Sequence, residues 1–341
     1  MYNLIRPLLF RLDPERAHGL TLSAIRLAGQ IPPAAGLLRL YFGAPDHPVR
    51  VFGLDFRNPV GLAAGYDKDG LGWRGLVALG FGHVEVGTIT PRPQPGNPKP
   101  RVFRLVEDWA VINRMGFPGR GAEFVADQLA GSRPAGLVLG ANIGKNKDTP
   151  LEEALQDYLI CLRRFAPLAD YIAINVSSPN TVGLRRLQGR EALETLLQGL
   201  AAERRLLLGQ ARRPGSLPIL VKLAPDLTDD ELDDALAAVE SAGMDGVIAT
   251  NTTLARPDLR STKAGETGGL SGAPLTGRSR EMVARIVQRS EGRFPVVGVG
   301  GIMTPGDGRA MLDIGAALVQ VYSGLIYAGP GLVRDIVKQL R

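Results

Sequence analysis

The sequence predicts an α/β fold, a (β/α)8 barrel with a two-helix N-terminal extension, on three observations. From residue 58 onward, short apolar segments alternate with polar or glycine-rich loops and amphipathic stretches. That rhythm belongs to parallel sheets, whose strands need a crossover helix between them. Eight such segments occur, the number that closes a barrel. Finally, 341 residues exceed the roughly 250 of a typical barrel, leaving room for an appendage. We divide the chain into an extension, 1–45, and a barrel domain, 46–341.

Within the extension, Asp13-Pro14-Glu15 has the form of an N-cap followed by proline at the first helical position. Ala17, Leu20, Ala24, Leu27 and Ala28 then recur at helical spacing, and Ile31-Pro32-Pro33 ends that helix. A second apolar set, Leu37, Leu38, Leu40, Tyr41 and Phe42, makes the other helix. Either a helical cap on its own domain or a membrane-surface hairpin with arginines near the headgroups suits this pattern. The barrel strands are predicted at 59–63, 83–87, 137–141, 171–175, 219–223, 246–249, 295–299 and 317–321. Thr228-Asp229-Asp230-Glu231 has the capping arrangement that starts a helix, and Gly243 closes it. Two stretches break the rhythm: the proline-rich 91–100 with the β-like 101–105, and the glycine-rich 254–275. Both read as excursions over one barrel mouth.

Composition narrows the function. With 45% hydrophobic and 22% charged residues, the chain is an ordinary globular one. Its net charge of +6 is spread rather than clustered, although five arginines face only Asp13 and Glu15 in the first 41 residues. A single cysteine, Cys161, lies in an apolar helical setting, so neither a disulfide framework nor a cysteine-based metal site is available. His18, His47 and His83 lack metal-ligand spacing, and no metal is expected. No apolar run approaches the roughly 18 residues that span a bilayer, and no signal-peptide pattern is present.

In barrels of this kind chemistry gathers at the C-terminal strand ends. The run Asn175-Val176-Ser177-Ser178-Pro179-Asn180-Thr181, directly after an apolar strand, groups amides and hydroxyls there. Other strand ends lead into Ala64-Gly65-Tyr66-Asp67-Lys68, Thr88, Asn142, Thr250-Asn251-Thr252, Gly300-Gly301 and Tyr322-Ser323-Gly324. Small residues after the last two strands let backbone N–H groups approach an anion, so a phosphorylated ligand is expected. The glycines match neither a dinucleotide fingerprint nor a P-loop. Lys222 stands in the otherwise apolar 219–223 and needs an anionic partner to offset desolvation, a role suited to a reduced flavin.

Taken together these motifs resemble the dihydroorotate dehydrogenases, specifically the membrane-associated, quinone-using class. The resemblance runs through residues 61–68, Gly87-Thr88-Ile89-Thr90-Pro91-Arg92-Pro93-Gln94-Pro95-Gly96-Asn97-Pro98, Ile112-Asn113-Arg114-Met115-Gly116-Phe117, 142–146, 175–181, 221–226, 249–253, 268–272 and 320–324. It implies a TIM barrel that binds FMN and oxidises dihydroorotate to orotate in pyrimidine synthesis, with a membrane quinone as final acceptor. By the same resemblance, Ser178 is the base that takes the C5 proton, with Thr181 or a water as outlet. FMN is implied to lie against Ala64, Gly65, Tyr66, Asp67, Lys68, Thr88, Asn142, Asn175, Lys222, Thr250, Gly272, Gly301, Tyr322 and Ser323. Dihydroorotate is implied to lie against Lys68, Asn113, Arg114, Met115, Gly116, Phe117, Asn175, Asn180, Asn251 and Thr252. The soluble relatives use cysteine as the base; serine here, together with the N-terminal helices, assigns the quinone class. Those helices are implied to form an apolar tunnel to the flavin, with Arg104 and Tyr322 at its inner end. A peripheral protein on the cytoplasmic face of the membrane follows, contacting anionic lipid through its extension, with no nucleic acid and no obligatory protein partner. Two readings compete: a flavin barrel acting on RNA, such as a dihydrouridine synthase, which predicts a catalytic cysteine, and a non-catalytic membrane-surface barrel that only binds FMN or an anionic metabolite.

Overall fold

A computed structural model describes residues 2–181, 183–210 and 216–341. Eight parallel strands close into a barrel in the order Val60–Leu62, His83–Ile89, Val138–Ile143, Tyr171–Asn175, Ile219–Leu223, Gly246–Ala249, Val296–Val299 and Leu318–Val321, the last pairing back with the first. Each lies within two residues of its predicted position. Strand alternation sorts the side chains into two apolar layers. Val138, Tyr171, Ala173, Leu220, Ile248, Val297 and Leu318 form one buried cluster, while Val60, Leu62, Val84, Leu139, Ile172, Val221 and Val319 join the larger cluster with the surrounding helices. Between the fifth and sixth strands, helix Asp229–Ser241 starts at the capping box read from the sequence, with Thr228 and Glu231 bonding each other's backbone. Gly243 follows at φ +63°.

Other elements shape the two ends. A hairpin of Val49–Val51 and Leu54–Phe56, which the sequence reading did not single out, joins the inner cluster through Val51 and Phe56. At the opposite end the two excursions meet: Val102–Leu105, Ala110–Asn113 and Gly269–Gly272 form one antiparallel three-stranded sheet. Segments more than 150 residues apart in the chain thus build a single wall, which no local pattern announces.

The extension has three helices where two were expected: α1 (Tyr2–Arg11), α2 (Pro14–Gln30) and α3 (Pro32–Phe42). Asp13 caps α2, accepting from the backbone N–H groups of Glu15 and Arg16, and the Pro32 that ends α2 opens α3. Pro7 lies inside α1 and weakens its local helical signal. Docking holds the segment instead. The Tyr2 hydroxyl donates to the Ile326 carbonyl at 2.5 Å, Arg6 donates to Tyr327 O at 2.9 Å, and Phe10 meets the Tyr327 ring edge-on at 5.4 Å. Glycine brings α2 onto the barrel: a Cβ on Gly29 would lie 2.6 Å from the Gly75 backbone.

The barrel interior is equally tight at Gly140, which pairs with Tyr171 on the next strand. A Cβ there would lie 2.2 Å from Tyr171 Cζ. Gly140→Ala is therefore expected to lower stability by about 1–3 kcal/mol, the range for overpacking a filled core. Chemical denaturation of the two proteins checks this, and an unchanged midpoint would mean that the Tyr171 ring can shift at no cost.

Candidate active site

A cavity of about 520 Å³ opens at the C-terminal end of the barrel strands, beneath the antiparallel sheet and the extension. Its polar part is assembled from strand ends. Thr88 and Asn175 stand near the ends of two strands separated by Val138–Ile143, and Asn175 Nδ2 donates to Thr88 Oγ1 at 2.8 Å. Thr88 in turn donates to Asn142 Oδ1 at 2.5 Å, and Asn142 Nδ2 donates to Glu85 Oε1 at 2.8 Å. The peptides Gly87–Thr88 and Ala249–Thr250 are cis.

Glu85 is fully buried and answers the question posed by Lys222. Lys222 Nζ lies 3.8 Å from Glu85 Oε1, while Tyr171 OH and Gln320 Nε2 donate to Oε2 at 3.1 and 2.9 Å. Burial pulls the Lys222 pKa below its ordinary value and the Glu85 carboxylate opposes that shift. The protein itself thus supplies an anion for this lysine, one that sequence reasoning missed. The signal was present, since Glu85 and Gln320 are polar residues inside apolar strands just as Lys222 is. Gln320 also leaves its buried Oε1 without a hydrogen-bond partner among the described residues.

Four amides line the same cavity, those of Asn113, Asn175, Asn180 and Asn251. Asn180 Nδ2 donates to Asn113 Oδ1 at 3.1 Å, and Asn251 Nδ2 donates to Ser177 Oγ at 3.0 Å and Asn175 Oδ1 at 3.3 Å. Ser178 lines the cavity while being only 5% exposed, and its Oγ accepts from the Asn180 backbone N–H at 3.3 Å. Nearby in the chain, the buried Thr181 hydroxyl has no partner among the described residues. Lys68 donates to the Gly65 carbonyl at 2.6 Å, and burial lowers its pKa to about 8.

The remaining lining is mostly apolar and is shared between the barrel domain and the extension, which contributes Ile5, Leu9, Phe10, Ile25 and Leu38 among others. His18, which lacks metal-ligand spacing in the sequence, faces this space. Burial first, and Lys68 second, push its pKa down to about 3, so it is neutral near pH 7, and its ring meets Tyr66 edge-on at 4.8 Å. Tyr322 OH donates to Gly65 O at 3.2 Å. Arg104 donates to the carbonyls of Leu9 and Leu12 and stacks 4.7 Å from the Phe10 ring centre.

Most residues singled out from the sequence come together here: Ala64, Gly65, Tyr66, Lys68, Thr88, Asn113, Met115, Gly116, Phe117, Asn175, Ser178, Asn180, Lys222, Thr250, Asn251, Thr252, Gly272, Gly301, Tyr322 and Ser323 all line the cavity. Three stand off it. Asn142 supports Thr88 and Asn175 from behind. Asp67 is buried in its own turn, accepting from the N–H groups of Leu71 and Gly72, both at 2.8 Å. The Arg114 guanidinium pairs with Glu266 at 2.7 Å and lies over Phe103 at 4.5 Å. Ser271, whose Oγ meets Ser323 Oγ at 2.9 Å, lines the cavity without having been singled out as a site residue.

The lining fits a flavin that carries a phosphate ester: Gly300, Gly301, Ser323 and Gly324 have small side chains that leave backbone N–H groups accessible to an anion, Lys222 adds a cation to the same cavity, and the unpartnered Gln320 Oε1 is an acceptor open to a ring N–H. Among the described residues, no helix is long and apolar enough to cross a membrane.

Comparison with known proteins identifies the family. Residues 48–341 match the family model for dihydroorotate dehydrogenase. The chain is 52% identical over its whole length to a protein of Roseiflexus sp. (strain RS-1) named dihydroorotate dehydrogenase (quinone), covering 93% of that protein. It is 50% identical, again over its whole length and over 99% of the relative, to the protein of that name from Thiobacillus denitrificans. A crystal structure of the Eimeria tenella enzyme in complex with ferulenol superposes with a TM-score of 0.87 at 39% identity, covering 96% of this chain and 90% of that one. On the strength of a match spanning the barrel and of relatives matching end to end, the chain belongs to the dihydroorotate dehydrogenase family, and it is most similar here to members of the quinone type.

Proposed function

We propose that this flavin-dependent oxidoreductase oxidises (S)-dihydroorotate to orotate on FMN and passes the electrons to a membrane quinone. One observation carries the reading: a single cavity is lined by the Ser178 hydroxyl, four asparagine amides and Lys68, together with Lys222 and the small residues Gly300, Gly301, Ser323 and Gly324. Residues 300–301 and 322–324 with Ser323 would hold the FMN phosphate. Lys222, Asn175, Thr88 and Thr250 would face the ring. When bound, FMN supplies the acceptor for the C6 hydride.

The chain's own residues account for the rest. Asn113, Asn175, Asn180 and Asn251 offer the donors and acceptors that a ring of amides and carbonyls requires, and holding that ring rigidly is itself catalytic. Lys68 attracts the substrate carboxylate. Ser178 takes the C5 proton, with Thr181 or a water as its outlet. Serine is a weak base unassisted, so polarisation of the adjacent ring carbonyl by the amides is part of the step. We assign residues 1–45 to quinone access and membrane contact, with Arg104 and Tyr322 at the inner end of the apolar passage. Outward-facing Leu4 (80% exposed), Leu8 (62%) and Leu40 (79%) support contact with lipid. The basic extension suits an anionic surface on the cytoplasmic face. The RNA-acting reading draws no support: Cys161 is buried, with its thiol pKa pushed up by burial, so it does not serve as a catalytic cysteine.

Anaerobic addition of dihydroorotate should bleach the flavin and a quinone should restore its colour; recovery with fumarate but not quinone would dismiss the acceptor assignment. Ser178→Ala should retain FMN and orotate but slow flavin reduction by about 100-fold or more, the scale of positioned acid–base catalysis. Stopped-flow absorbance reads this, and an unaltered rate excludes Ser178 as base. With Lys68 titrating at about 8, the cation is present below that pH and lost above it. Orotate affinity should accordingly fall as pH rises through about 8, and a Kd independent of pH from 7 to 9.5 would remove Lys68 from carboxylate binding.

A further inference from the structure

Among the described residues, the ion pairs between the extension and the barrel domain are made by Glu15 alone, to Arg101 at 2.7 Å and to Lys99 at 3.5 Å. Arg101 is only 6% exposed, so its charge depends on that carboxylate. One edge of its guanidinium, Nε and Nη2, holds Glu15. The remaining nitrogen, Nη1, donates to the carbonyls of Pro95 and Asn97 at 2.6 and 2.9 Å. Asn97 then reaches both arms of the amide cluster: Nδ2 donates to Arg114 O at 3.0 Å and Asn180 O at 3.1 Å, and its backbone N–H donates to Met115 O at 2.9 Å. The fit leaves no slack, because a Cβ on Gly116 would lie 2.7 Å from Asn97 Nδ2. Glu15 itself lines the cavity, and its charge opposes the downward shift of Lys68.

We propose that Glu15 is a positioning residue for the pyrimidine ligand: through Arg101 and Asn97 it latches the helical extension to the loops carrying Asn113, Met115 and Asn180, so that ligand affinity depends on how the extension is seated. This rests on the reading of the cavity as the dihydroorotate site. Coupling of this kind is reciprocal, so the pyrimidine must also tighten the extension.

The test uses the flavin-loaded enzyme. Glu15→Gln removes the charge and keeps the shape. It is expected to raise the orotate Kd, read from the flavin absorbance change, and the dihydroorotate KM by about tenfold, within the usual range of coupling between sites. The limiting rate of flavin reduction at saturating dihydroorotate should change less than twofold, a split that general loosening of the fold would not produce. In the wild type, orotate should slow hydrogen exchange in residues 14–19 as well as in 94–101. An orotate Kd within twofold of wild type in a flavin-loaded Glu15→Gln protein overturns the latch, as does a loss confined to the limiting rate. If that variant does not retain flavin, the wild-type exchange decides: protection of 14–19 by orotate supports the latch and its absence overturns it. Failure of dihydroorotate to bleach the wild-type flavin would instead sink the reading of the site, and the latch with it.

Discussion

Lys222 and Glu85, both withdrawn from water inside a closed ring of strands, set the terms for the rest of the site. Removing one partner of such a pair leaves an uncompensated buried charge, at about 3–5 kcal/mol. The barrel answers by surrounding the carboxylate with donors from four different strands: Asn142, Tyr171, Lys222 and Gln320. Each of these residues is thereby oriented, and Asn142 passes the order on to Thr88 and Asn175 at the cavity floor. The pair stabilises little in itself; what it confers is a fixed arrangement of polar groups in an otherwise apolar interior.

A different solution operates at the mouth. There the donors stand on loops, which a barrel alone leaves mobile. The antiparallel sheet holds Asn113 at a strand end, and Arg101 ties the proline-rich loop to α2. Placement of the reacting groups therefore depends on elements outside the eight strands. The extension has a double character: its inner side completes the cavity and supplies Glu15 and His18, while its outer side shows leucines to the surroundings. A helix that carries both faces cannot find a partner within its own domain for the outer one.

What could be read before folding varied with how local the cause was. All eight barrel strands were legible, because each is a mostly apolar run bounded by breakers, and the caps at Asp13 and Thr228 were legible because they act within one helical turn. Helix α1 was not, since Pro7 hides it and it is secured by distant contacts, among them those with Ile326, Tyr327 and Arg104. At the site, Ser178, Lys222 and the asparagines stood out as polar residues at strand ends. Glu85 carried the same mark and was passed over. His18 could not be placed at all, because its role depends on where α2 lies against Tyr66.

By itself the sequence determined the fold, the polar inventory at the strand ends and the motifs that define the family, all of which depend on residue type and short spacing. Only the tertiary structure decided that Arg114 turns outward to Glu266, that Asp67 and Asn142 serve as supports, and that Glu15 meets Arg101 across 86 residues. Those outcomes rest on charge compensation and close packing between segments remote in the chain, which only closure of the barrel brings within range.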